Sequence, residues 1–171
     1  MSLFPPLCNW LTQSSLGRQM RLSDWLFPTV ETCHIYGTVA LVAATSVLNL
    51  RLGGFFLREV PVSKVVSRCL PWAWYGFALQ VVTGFLLFTS EAALACVNVM
   101  FQVKMALILL AGLNALVFHK TVYRRVKTWD EAPDPPSQAK FLGTLSLVIW
   151  IAVVVAGRWV NGSIAQSVMP K

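Results

Sequence analysis

The chain carries two histidines, seven acidic residues and four cysteines, so any place where these types meet is informative. They meet in V-E-T-C-H-I-Y-G-T, Val30 to Thr38, where Glu31, Cys33 and His34 fall within one turn of a helix. A carboxylate beside an imidazole suits binding of a ligand, a metal or a proton. Two cations stand in otherwise apolar surroundings, Lys104 in F-Q-V-K and Arg158 in A-G-R-W. Such a set is either a polar rim site or a group of ion pairs, Lys104 and Arg158 with Glu31 or Glu91, that fixes helix order.

The second histidine, His119, closes N-A-L-V-F-H. Two imidazoles in a membrane bundle are the axial donor set of haem b, and imidazole also suits copper. The cysteines point to no metal motif: Cys8, Cys33, Cys69 and Cys96 form no C-x-x-C pair and no zinc spacing. A disulfide that uses Cys96 fits an oxidising compartment, with Cys8 and Cys33 on the same side and the connectivity unreadable. The chain has no G-x-S-x-G, no H-E-x-x-H and no phosphate-binding glycine loop, which ranks an enzyme last among the function classes.

The elements that position these residues are apolar. Composition is 56% hydrophobic and 12% charged, against about 25% charged in soluble domains, with a mean hydropathy of +0.63. This is the composition of an all-α integral membrane protein in one domain. Four stretches of about 20 residues match the hydrocarbon thickness: 29–50, 70–90, 99–119 and 141–161. Residues 1–28 suit an amphipathic segment on the outer face, with Pro28 placed to start a helix, and 162–171 form an outer tail. No cleavable leader is evident. V-P-V-S-K-V-V-S-R-C-L suits a short interfacial helix, and H-K-T-V-Y-R-R-V-K-T-W a basic extension of the third span. That extension breaks at D-E-A-P-D-P-P-S, with Ser137 able to cap the fourth span.

The net charge of +7 flanks the apolar runs, which is an orientation signal and not a nucleic-acid footprint. Arg51, Arg58, Lys64 and Arg68 follow the first span, and Lys120, Arg124, Arg125, Lys127 and Lys140 follow the third. The termini hold only Arg18, Arg21 and Lys171. The bias puts both base-rich loops in the cytoplasm and both termini outside. Glu31, His34, Lys104 and Arg158 then lie at similar depth near the outer surface.

At 100° per residue, Glu31, His34, Thr38, Thr45 and Asn49 fall within about 60° of one another. The second span aligns Gly76, Gln80, Thr83 and Gly84. The fourth aligns Gly143, Ser146, Trp150, Gly157 and Asn161. In the third, Ala111, Gly112 and Ala115 share the side of Lys104 and His119. Seams of small and polar residues pack helices together in lipid, so a four-helix bundle follows. His34 and His119 lie about 16 residues apart in depth, roughly 24 Å, too far to share one iron. Separate haems, each completed by a methionine or a partner subunit, stay open.

Several strings carry a family resemblance. They are W-L-x-x-S-x-L-G-x-x-x-R from Trp10, W-L-F-P-x-V-E-x-x-H-x-x-G from Trp25, L-R-L-G-G from Leu50, G-F-x-L-x-x-x-T-G-x-L-L-F from Gly76, F-Q-V-K, N-A-L-V-F-H and A-G-R-W. Across nearly the whole chain the pattern resembles a group of small bacterial inner-membrane proteins without an assigned function. The resemblance implies a four-helix membrane domain and places Glu31, His34, Lys104, His119 and Arg158 in the shared pattern. Asn49 stands where an acid is expected before L-R-L-G. More loosely, the architecture is similar to copper-resistance and cytochrome b-type membrane domains, a likeness of fold only.

The expectation is thus an accessory or anchor subunit of the bacterial inner membrane, in a redox or metal-handling system, with haem b or copper as candidate cofactors. Its partners would be the bilayer and either a membrane subunit or a second copy, without nucleic acid. The rim of Glu31, His34, Lys104 and Arg158 is the candidate site. The first rival is a small transporter working along the seam of Thr38, Thr45, Asn49, Gln80 and Thr83, and the second is a purely structural membrane protein.

Overall fold

Lipid offers no partner for a backbone N–H or C=O, so each apolar run must satisfy its own groups as a helix. In the computed structural model, the backbone is described for residues 4–132 and 134–168, and side chains for 6–132 and 134–163. The elements are α1 (Phe4–Gln13), α2 (Ser15–Leu22), α3 (Leu26–Leu52), α4 (Val62–Ala95), α5 (Val99–Thr121), a 3-10 turn over Tyr123–Thr128, and α6 (Ser137–Val168). Helices α3 to α6 are long and apolar enough to cross a membrane, and large apolar side chains such as Val82, Leu109 and Ile151 stand on their outer faces. The fold is an all-α four-helix membrane bundle.

Helix α3 packs along α4 and α5 along α6, and the two pairs join mainly through α3 against α6. Glycine sets the first contact. A Cβ on Gly76 would lie 2.6 Å from the Leu41 backbone nitrogen and 2.9 Å from the Gly37 carbonyl, so only hydrogen lets the backbones come this close. The second contact is a small apolar core of Ala111, Ile149 and Val153. Leu52, Val62, Val66, Val122 and Ala139 form another core at the base-rich end.

Two segments differ from their expected form. The short helix expected after Val60 is no separate element, because α4 runs unbroken from Val62 through Pro71. Its start is fixed from far away: Asp130 accepts the Ser63 N–H at 2.7 Å and the Ser63 hydroxyl at 2.6 Å, a cap supplied 67 residues downstream. The basic stretch after His119 does not extend α5 as α-helix, which ends at Thr121 and tightens into the 3-10 turn. Past Asn161, α6 continues to Val168; residues 169–171 of the expected tail, and 1–3 at the start, lie outside the described residues.

Arg51, counted above among the orienting bases, is fully buried. Its Nε donates to the Val60 carbonyl at 2.8 Å and its Nη2 to the Ala132 carbonyl at 3.0 Å, tying both base-rich loops to the end of α3.

The N-terminal helices pack on the far end of α4. Arg21 donates to the Ser90 carbonyl at 2.8 Å, and the Ala93 N–H donates to the Thr12 hydroxyl at 2.9 Å. Between those two contacts α4 kinks at Glu91 (φ −128°), where side chains from α1 and α2 replace helical partners. A disulfide between Cys8 and Cys96 closes the same junction.

Candidate functional site

His34 is held by α4 through both its ring and its backbone. Nδ1 lies 2.8 Å from the Thr83 hydroxyl, which itself stands 2.5 Å from the Leu79 carbonyl. A hydroxyl has one hydrogen, and the carbonyl can only accept it. Thr83 therefore accepts from His34, Nδ1 carries the ring hydrogen, and in the neutral ring Nε2 is the nitrogen that holds the lone pair. Gly84 makes room for the ring, since a Cβ there would sit 3.2 Å from Cε1. Gln80 donates to the His34 carbonyl at 2.5 Å and to the Thr38 hydroxyl at 2.6 Å.

The seam thus divides. Thr38, Gln80 and Thr83 lock α3 to α4 around His34. Farther along, Thr45 bonds back to its own helix at Leu41, and Asn49 donates to Ser146 on α6 at 3.0 Å.

The rim residues come together only in part. Lys104 is half-buried beside Gly157, where a Cβ would lie 3.5 Å from Nζ, and it is close enough to His34 for the two to interact electrostatically. Glu31 accepts from Asn161 at 3.2 Å, and its charge is felt by Glu91. Arg158 is exposed and makes no hydrogen bond or ion pair with the described residues. Pairing of Lys104 or Arg158 with Glu31 or Glu91 does not form. The ion pair among the described residues is Lys140 with Asp134, at 2.5 Å, and the Lys140 hydrogen bond holds the exposed Asp134 carboxyl below its usual range.

Glu91, at the kink in α4, joins the site because it feels the charge of Glu31. The sequence signal for that kink is the Thr12 and Arg21 pair on α1 and α2, which acquires meaning only once those helices dock. Asn161 was visible in the fourth seam but without a partner.

His119 lies at the opposite end, exposed and stacked on Tyr123 with ring centroids 5.5 Å apart. The two imidazoles do not meet, as the depth count requires. Among the described residues no group of three or more His, Cys, Asp or Glu side chains is placed to hold a metal. Cys33 and Cys69 are free thiols.

A family model matches residues 7–163, a span that holds both histidines, the rim, the seam and the disulfide. The chain belongs to DUF6644. That is a family of unknown function. No curated protein and no solved structure matches the chain.

Proposed function

We propose that this DUF6644 chain is an accessory subunit of the bacterial cytoplasmic membrane that offers the His34 imidazole, near the outer surface, to a redox or metal-handling partner. The observation that carries the reading is the fixed ring: Thr83 holds Nδ1–H and leaves Nε2 as a free donor nitrogen. Metal-bound histidines are held in this way, with one N–H bonded to an outer partner that sets the tautomer and aims the other nitrogen.

One imidazole does not fill a coordination sphere, so a partner subunit or second copy supplies the rest. Imidazole suits both haem iron and copper. The Lys104 charge, which His34 feels, favours a group that brings its own negative charge, as haem does through its propionates, over a bare cation.

Two independent features support the orientation. The base-rich loops mark the cytoplasmic side. The Cys8–Cys96 disulfide, at the other end of the bundle, suits an oxidising exterior. A solute path along the seam is the weaker reading, because Gln80 is bonded to Thr38 and Asn49 to Ser146.

The test is an absorption spectrum and metal analysis of the protein purified in mild detergent, with and without added hemin or copper. A Soret band or bound copper that is lost in His34→Ala and kept in His119→Ala supports the proposal. A sample that stays colourless and metal-free after both additions overturns it and leaves a structural role.

A further inference from the structure

Helices α4 and α5 meet near their junction, where Phe88 stacks on Phe101 at 5.5 Å, but they do not pack along one another toward the base-rich end. The gap between them, floored by α3 and α6, is a cavity of about 410 Å³. Its walls are apolar, with Leu41, Leu48, Phe77, Ile108 and Phe118 among them. Its mouth is formed by exposed residues on both helices, Leu70 and Trp74 on α4, Gly112 and Ala115 on α5. These stand on the outer flank of two membrane-capable helices, so in a bilayer the mouth opens onto lipid.

One wall residue is chemically incomplete. Asn114 lines the cavity with only 7% of its surface exposed. Its amide donates to the Leu142 carbonyl at 3.1 Å, while its Oδ1 is buried without a hydrogen-bond partner among the described residues. An unpaired buried carbonyl is costly, and more so in lipid, where water is not available to complete it. The volume is within the range of small-molecule pockets, which are mostly apolar with a few polar groups that fix orientation. The missing complement is a hydrogen-bond donor.

We propose that the cavity binds a membrane-dissolved lipophile bearing a hydroxyl group, which donates to Asn114 Oδ1 while its apolar body lies between α4 and α5. This site is separate from His34, which is not among the cavity-lining residues. A phospholipid acyl chain would fill the same space without using Asn114, and a helix of a second copy would cover the mouth from outside.

Trp74 and Trp150 line the cavity, so a brominated ligand inside it quenches their fluorescence. The probes are bromodecanol and its methyl ether, titrated into the full chain in lipid nanodiscs. Wild type should show saturable quenching, with the alcohol binding about fivefold more tightly than the ether, the worth of one hydrogen bond inside a membrane. Asn114→Leu should bind the two equally. Gly112→Phe should bind neither, and it should fold, because a Cβ at Gly112 meets nothing within 4 Å and the ring enters open space. Equal binding of alcohol and ether by wild type would assign the cavity to acyl chains and overturn the proposal. So would quenching that survives Gly112→Phe, or a wild-type dimer that this variant splits.

Discussion

Gly76→Ala tests whether the α3–α4 contact depends on one missing methyl group. The new Cβ would lie 2.6 Å from Leu41 N, 2.9 Å from the Gly37 carbonyl and 3.0 Å from Leu41 Cα, all backbone atoms that cannot rotate away. Ordinary carbon contacts begin near about 3.5 Å, so the helices must part by roughly 1 Å. That displacement stretches both Gln80 hydrogen bonds and the His34–Thr83 bond toward the limit of useful geometry. Overpacking costs about 1–3 kcal/mol. Each weakened intramembrane bond adds about 0.6 kcal/mol. The better helix propensity of alanine returns about 0.5–1 kcal/mol. The expected net loss is about 2–4 kcal/mol. Gly112→Ala is the control, since its Cβ meets nothing within 4 Å. It should be neutral or stabilising by up to about 1 kcal/mol. Thermal unfolding of both variants in one detergent, followed by circular dichroism, compares them directly. If Gly76→Ala is as stable as Gly112→Ala, the close approach of α3 and α4 is wrong.

The disulfide predicts a labelling count. Denatured without reductant, the protein should react with PEG-maleimide at two cysteines, Cys33 and Cys69, and Cys8→Ser should add Cys96. Labelling of all four in unreduced wild type would remove the Cys8–Cys96 link. Thr83→Val keeps the side-chain shape but takes away the acceptor for His34 Nδ1–H. It should lower stability by about 1 kcal/mol, within the range of hydrogen bonds measured in membranes. It should also weaken any haem or copper bound at His34 about tenfold, the usual effect of losing an outer partner of a ligating histidine. Thr83→Ser should restore both. Unchanged binding in Thr83→Val would mean that Thr83 does not position the ring.

Helix projection put Glu31, His34, Thr38, Thr45 and Asn49 on one face of α3 and turned that face inward. It did so because hydrocarbon leaves unpaired polar groups no other place to go. It did not say that the face divides, with His34 and Thr38 bonded to α4 and Asn49 to α6. Neither partner helix is encoded in the periodicity of α3. Lys104 packs beside Gly157, a residue of the fourth seam. Arg158, one residue on, is exposed, because rotation about the α6 axis decides which residues reach the rim.

The small residues Ala111, Gly112 and Ala115 illustrate the other failure. Small side chains in a membrane helix usually mark close packing. Ala111 does pack on α6, but Gly112 and Ala115 border the cavity, where smallness leaves space. Composition does not distinguish a glycine that admits a backbone, as Gly76 does, from one that admits nothing.

By itself the sequence determined that this is a helical membrane protein with four spans. A bilayer of fixed thickness imposes length and apolarity on every crossing segment, and both are local properties. The distribution of bases supports one orientation for the same reason. Tertiary structure alone decided that Asp130 caps α4, that Cys96 pairs with Cys8, that Thr83 sets the His34 tautomer, and that Asn114 faces a cavity with its carbonyl unpaired. Each depends on the tilt and rotation of one helix against another. Those are fixed by contacts between residues tens of positions apart, which no pattern along a single helix can express.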